Sequence, residues 1–197
     1  MTSGSIRFYP LRAEPSPVDL VSDMKFCKRA FIVLLLCVSM LAPVAVSAME
    51  PGTMAPGFTL KSVQGEEVSL ADYKGRLVLL KLGTTWCPTC KEMSAEIDKI
   101  GAFLKEQEVV VLEVFVQDSA AMIEKYLGGA EHPMTFQALL DDGQVYKAYN
   151  VYLIPRLLVV DAEQSIRFDS VGRNVLAEDI AAMVKEFAPP AITSGAS

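Results

Sequence analysis

Leu77-Val78-Leu79-Leu80-Lys81-Leu82-Gly83-Thr84-Thr85-Trp86-Cys87-Pro88-Thr89-Cys90 is the stretch on which the reading of this chain turns. Its apolar run, inside Arg76 to Thr84, predicts a strand buried on both faces. The strand leads to a C-x-x-C pair, and the next helix starts near Cys87. The positive end of a helix dipole stabilises a thiolate. A thiolate attacks a foreign disulfide, and a neighbouring thiol then resolves the mixed disulfide. The same tetrapeptide could be half of a zinc site, which needs two more ligands. The other cysteines, Cys27 and Cys37, lie in an upstream apolar leader, and the chain has one histidine, His132. Redox chemistry is therefore the reading of the pair.

Downstream, Met93, Ile97, Ile100 and Leu104 recur at helical spacing among charged residues, which predicts one amphipathic helix. Val109 to Val116 reads as the second buried strand. Ser119 to Leu127 reads as a helix capped by Asp118 or Ser119 and ended by Gly128-Gly129. Thr135 to Leu140 is extended, Asp141-Asp142-Gly143 a turn, and Val145 to Asn150 a short helix. Arg156 to Val160 and Ser165 to Ser170 are strands, and Leu176, Ile180, Met183 and Phe187 mark a last helix. Upstream, Phe58 to Leu60 and Glu67 to Leu70 flank the turn Gln64-Gly65 as an N-terminal hairpin. Strands alternating with helices predict an α/β fold whose central sheet is covered on both faces. The cysteines then lie at the carboxyl end of a central strand, where open α/β sheets place their sites.

Lys25, Lys28 and Arg29 precede an apolar stretch from Ala30 to Ala42, broken by Pro43 and followed by Val46-Ser47-Ala48. These are the three regions of a secretory signal peptide, with cleavage expected after Ala48. An uncleaved membrane anchor is the alternative, though the apolar stretch is short of the ~20 residues a spanning helix prefers. Met24 stands just before the basic segment, so residues 1–23 read as an upstream extension or an extended n-region, and 24–48 as the signal peptide. Residues 49–188 form the domain, long enough for one real core. The tail from 189 to 197 is small, proline-containing and uncharged, and reads as disordered. The chain carries a net charge of −6. That balance argues against nucleic acid and against an anionic membrane surface. After cleavage only Cys87 and Cys90 remain, and so short a loop is a poor structural staple.

With these residues in place the chain resembles the thioredoxin fold. More narrowly, it is similar to the exported TlpA/ResA-like thiol–disulfide oxidoreductases, which overlap the AhpC/TSA, or redoxin, profile. The resemblance covers about Ala55 to Phe187. It rests on Ala55-Pro56-Gly57-Phe58-Thr59-Leu60, Val68-Ser69-Leu70-Ala71-Asp72-Tyr73-Lys74-Gly75, Thr85-Trp86-Cys87-Pro88-Thr89-Cys90 and Tyr149-Asn150-Val151-Tyr152-Leu153-Ile154-Pro155. It implies a thioredoxin-like central mixed sheet with helices on both faces and an N-terminal β-hairpin extension. Cys87 resembles the attacking thiol and Cys90 the resolving one. Pro155 matches a proline that is cis in the family and faces the disulfide, leaving the backbone of Ile154 to hold an extended substrate strand. Pro88 and Thr89, between the cysteines, tune the potential. Trp86 offers a contact surface over the disulfide.

The departures from the family matter as much. Lys81 stands where thioredoxin has its buried acid, and Met93 where many TlpA-like proteins have a glutamate. Glu92 is one position round the helix and faces water. Ala95 replaces the helix-kinking proline, and Ile154 stands where thioredoxin has threonine. Lys81 is then either a lysine snorkelling at the sheet end or a cation favouring the thiolate. Glu113 is another candidate acid, with an exposed strand edge as the plainer reading. His132 reads as a surface loop residue, and Met122, Met134 and Met183 as core filler.

The expected activity is reduction of protein disulfides in an exported or periplasmic setting, by a monomer without cofactor or resident metal. Electrons would come from a membrane thiol donor. The substrate is open: apocytochrome c cysteines, one exported enzyme, or general disulfide repair. Two rivals remain. A peroxiredoxin-type peroxidase is suggested by Thr84, three residues before Cys87. A non-catalytic metal or cytochrome-assembly chaperone could use the same fold.

Overall fold

Strand β3 (Val78–Gly83) is buried along its whole length, and so are β4 (Val110–Phe115) and β6 (Arg156–Val160). Apart from Lys81 in β3, Glu113 in β4 and Arg156 at the start of β6, each is apolar because each lies inside the sheet with elements packed on both sides. The computed structural model describes residues 48–129, 132 and 134–189. The leader with Cys27 and Cys37, except Ala48, and the tail from 190 onward lie outside the described residues.

The remaining strands are β1 (Thr59–Ser62), β2 (Glu67–Ser69), β5 (Thr135–Leu140) and β7 (Ile166–Val171). The sheet order is β2-β1-β5-β4-β3-β6-β7. β3, β4 and β5 run parallel; β6, β7, β1 and β2 join antiparallel. The sheet is thus mixed, and β1–β2 is the expected N-terminal hairpin.

The helices are α1 (Pro88–Lys99), α2 (Gly101–Glu106), α3 (Ala120–Leu127), α4 (Gln144–Ala148) and α5 (Ala177–Phe187). One face of the sheet, through Leu79, Val111 and Val159, packs on Met93, Ile97 and Ile180 of α1 and α5. The other, through Leu80, Leu112 and Leu158, packs on Val145 and Tyr149 at α4 and on Leu70. α3 covers Phe115 with Ile123. Leu80 is wholly buried, so truncating it to alanine would cost about 2–5 kcal/mol.

Three local expectations need correction. The stripe from Met93 to Leu104 is carried by two helices, because the backbone leaves helical geometry at Ile100 (φ −107°, ψ 13°) before Gly101. Glycine propagates a helix poorly, yet Leu104 still reaches the core. Leu176 is the extended N-cap of α5 and 49% exposed; Val175 takes its place in the core. Met122 is also exposed rather than core. At α3 the cap is Ser119, whose hydroxyl accepts from the Met122 amide, and Gly128 closes the helix at φ 58°. Asp118 is left free for a different task.

Candidate active site

Cys87 is the N-cap of α1, and Pro88 occupies the first turn. Proline suits that position because its missing N–H would be unpaired there anyway. The Cys90 amide donates to Cys87 Sγ at 3.2 Å, so the sulfur caps the helix. Cys87 and Cys90 are joined as a disulfide with their Cα atoms 5.2 Å apart. Cys87 is 7% exposed and Cys90 1%. Pro88 is exposed and Thr89 half-buried.

Asp118 fixes the loop leading into the cysteines. Its carboxylate accepts from the Thr85 amide at 2.9 Å and from the Thr85 hydroxyl at 2.6 Å. Trp86, next along, stands 58% exposed.

The Ile154–Pro155 peptide bond is cis. Arg156 pairs with Leu82 in the antiparallel β3–β6 ladder, so Pro155 arrives abreast of Gly83. Gly83 lies directly under Cys90: a methyl group on it would stand 3.1 Å from Cys90 Sγ. Pro155 and the disulfide therefore share the carboxyl end of β3. Ile154 is half-buried, while Tyr152 and Leu153 before it are 65% and 50% exposed. Together with Trp86 they give this end of the sheet exposed apolar residues on two loops. Tyr152 and Leu153 had no signal of their own; only their nearness to Pro155 could have marked them.

Lys81 and Glu113 are not at the surface. Both are buried, at 1% and 4% exposure, and opposite each other in the β3–β4 register. The Lys81 ammonium pairs with Glu113 Oε1 and donates to Ser94 Oγ at 2.7 Å. Ser94 also accepts from the Tyr126 hydroxyl at 3.2 Å and donates to the Cys90 carbonyl at 3.2 Å. Burial is the main cause that raises the Tyr126 phenol above its ordinary pKa, with the Ser94 hydrogen bond opposing it. The same point above Gly83 that lies 3.1 Å from Cys90 Sγ lies 4.0 Å from Lys81 Nζ. The absence of a side chain at Gly83 leaves the sulfur and the ion pair adjacent. A buried charge survives only when paired, and here each satisfies the other. The readings of Lys81 as snorkelling and of Glu113 as an exposed edge are both overturned, because the parallel register sets the two side chains together inside the core. Ser94, four residues after Cys90, was legible as its neighbour on one helix face.

A second buried pair went unread. Arg156, directly after Pro155, donates from Nε to Asp169 Oδ1 at 2.8 Å and from Nη2 to Oδ2 at 2.5 Å. Its Nη1 donates to the Tyr149 carbonyl and, at 3.4 Å, to that of Asn150. The loop carrying Tyr152 to Pro155 is held at its start by this guanidinium. An arginine opening an apolar strand was the available signal.

Thr84 is buried, and its hydroxyl has no hydrogen-bond partner among the described residues. His132 is half-buried rather than on the surface; it stacks on Phe136 at 3.9 Å and bonds Asp98 through Nδ1 at 3.1 Å. Met134 is core and Met183 half-buried. Among the described residues no group of three His, Cys, Asp or Glu could hold a metal, and no helix is long and apolar enough to cross a membrane.

Residues 51–169 match the AhpC/TSA family. The chain is 29% identical over 144 residues to the thiol-disulfide oxidoreductase ResA of Geobacillus kaustophilus, covering 73% of this chain and 81% of that one. It is 31% identical over 123 residues to the thiol:disulfide interchange protein DsbE of Pseudomonas aeruginosa, covering 61% and 66%. The fold superposes on a crystal structure described as a thiol:disulfide interchange protein DsbE from Chlorobium tepidum with a TM-score of 0.61. That alignment spans 71% of this chain and 98% of the other at 23% identity.

Proposed function

Because the chain belongs to the AhpC/TSA family, as a TlpA/ResA-like thiol–disulfide oxidoreductase, we propose that it reduces disulfides of proteins outside the cytoplasm. The observation that carries this reading is the placement of Cys87 as helix cap, with Cys90 one turn in and cis-Pro155 at the same carboxyl end of β3. Reduced Cys87, as thiolate, attacks one sulfur of the substrate disulfide. That S–S bond breaks, the other substrate sulfur leaves as a thiolate, and Cys87 is left in a mixed disulfide. Cys90 then loses its proton and attacks Cys87 Sγ. The second substrate thiol leaves, and two electrons have passed from the dithiol to the substrate.

The proton of Cys90 needs an acceptor in a site with little water. Glu113, in the cluster beneath Gly83, is assigned that role, and the Lys81 ammonium steadies the thiolate that forms. Ser94 and Tyr126 position the two charges. The substrate lies extended along the Ile154 backbone, between the side chains of Trp86 and Tyr152. Protein disulfides, one in apocytochrome c among them, fit such a surface. Regeneration needs two electrons from a thiol donor in the membrane. Export follows from the signal-peptide pattern ending at Ala48, with cleavage there; a protein kept in the membrane by an uncleaved leader is the alternative.

A Cys90→Ser variant tests this reading, because its mixed disulfides cannot resolve. Expressed in the native host, it should hold covalent protein adducts that dithiothreitol releases and that a Cys87→Ser/Cys90→Ser variant lacks. Equal recovery from both variants would overturn the proposal. A peroxidase reading is favoured by the unpartnered Thr84 hydroxyl alone. The arginine such chemistry also needs is not supplied by Arg156, which is committed to Asp169. Peroxide turnover by the reduced protein separates the two.

A further inference from the structure

Met49 is tied into the fold at an unexpected place. Its side chain is half-buried against the core. Its backbone nitrogen donates to Asp169 Oδ2 at 2.6 Å, across 120 residues of sequence. Asp169 is the carboxylate that holds Arg156, and both side chains of that pair are 1% exposed. The path to it is built from backbone: Gly52 N–H donates to the Ile166 carbonyl at 2.7 Å, Ile166 N–H to the Thr53 carbonyl at 2.8 Å, and Ala55 N–H to the Gln164 carbonyl at 2.9 Å. The segment from Gly52 to Ala55 thus runs beside the start of β7 and delivers Met49 to Asp169. Chain starts usually fray unless something holds them. Here the holding group is a buried carboxylate with a lone pair to spare, since ionised Asp offers about four acceptor sites.

We propose that cleavage after Ala48 turns this contact into an ion pair, so that the new N-terminal ammonium of Met49 docks on the Arg156–Asp169 pair. The inference rests on the processing reading given above. A peptidase of the exported-protein class would add water across the Ala48–Met49 bond. The hydroxyl goes to the Ala48 carbonyl carbon and the C–N bond breaks. The nitrogen takes the remaining hydrogen of the water and the proton that the new carboxyl group releases. A neutral amide donor becomes a cation at the same position. Charge-assisted hydrogen bonds are roughly twice as strong as neutral ones. Processing then completes a three-membered charge cluster under the loop that carries Tyr152 and cis-Pro155.

The test compares two preparations of the chain released from a fusion to begin at Met49. One has the free amine; the other is Nα-acetylated, which restores a neutral amide N–H with the same geometry. Denaturant unfolding of the acetylated form should give a folding equilibrium constant about tenfold smaller. In an Asp169→Asn background the difference should vanish. Equal stability of the two forms in the parent protein overturns the ion pair. Because Asp169→Asn strands Arg156 and could unfold the chain, a second measurement uses no substitution. Acylation of the Met49 amine by acetic anhydride should be at least tenfold slower in the folded protein than in urea, and equal rates overturn the docking. Intact mass of protein from the native host tests the processing alone. A retained leader with a measured acetylation effect sinks the cleavage and spares the ion pair; a chain beginning at Met49 without the effect does the reverse.

Discussion

Lys81 and Glu113 face each other across the parallel β3–β4 ladder and close a buried ion pair one glycine away from the sulfur of Cys90. A lysine stands where the resemblance led one to look for an acid, and the acid stands on the next strand. The cluster keeps one carboxylate and one cation beneath Cys90, with the carboxylate on β4 rather than at the position of Lys81.

Lys81→Met should destabilise the protein by about 3–5 kcal/mol, because it leaves the Glu113 carboxylate buried without its partner. Loss of the cation also disfavours the thiolate, so the reduction potential should become more negative, by roughly 30 mV for each tenfold change. Lys81→Met combined with Glu113→Gln should regain most of the stability. The double variant should still resolve mixed disulfides at least about tenfold more slowly, for want of a proton acceptor. Urea unfolding and single-turnover kinetics measure the two effects separately. A double variant with full activity would reduce the pair to a structural one.

Cys87 should react before Cys90. It begins the helix and is the more exposed of the two, while Cys90 lies one turn in. Alkylation of the reduced protein with iodoacetamide near pH 6, read by peptide mass, should modify Cys87 first. Faster labelling of Cys90 would reverse the assigned roles.

Gly83→Ala should cost about 1–3 kcal/mol through overpacking. Its methyl would sit 3.1 Å from Cys90 Sγ and 3.3 Å from Cys90 Cβ. Neither atom is the far end of a flexible chain, since Cys90 is fixed in the first turn of α1. The same methyl would separate the sulfur from Lys81, so resolution should slow even where the variant folds. Unchanged thermal stability and rate would show that the gap is unused.

Alkali should unfold the protein through its tyrosines. Burial raises the Tyr149 phenol well above its ordinary value of 10.0, with Arg156 nearby opposing in smaller measure. The folded chain therefore keeps a proton that the unfolded chain releases near pH 10. This contribution is complete below that pH and is lost as pH rises toward the raised folded value, at up to about 1.36 kcal/mol per pH unit. Tyr149→Phe should flatten much of the fall, leaving the part due to Tyr126 and Tyr73, which are also raised. Near neutrality the same variant should lose about 1 kcal/mol, because the hydroxyl donates to the Pro56 carbonyl at 2.7 Å. Urea titrations from pH 7 to pH 11 would show both.

What could be read from the sequence was local. β3, β4 and β6 announce themselves as apolar runs because both of their faces are covered. Cys87 and Pro88 mark a helix start within a few residues. The break at Ile100 was hidden, since a stripe of Met93, Ile97 and Leu104 reads the same whether one helix or two carry it. The pairings Lys81–Glu113 and Arg156–Asp169 were hidden for another reason. Each joins two strands, and only the register of the sheet tells which side chains meet. Asp118 was assigned to the helix it precedes, while its carboxylate reaches back across to Thr85.

Cys87 does for α1 what Ser119 does for α3, but a serine cap has one valence state and this cap has two. When the sulfur is tied to Cys90 it accepts the amide hydrogen bond as a neutral atom. When it is a thiolate the same amide faces a full negative charge. The first turn of the helix must therefore tighten as electrons arrive and slacken as they leave. Deuterium uptake at the Cys90 amide becomes a gauge of the protein's electron content, readable without any reagent touching sulfur.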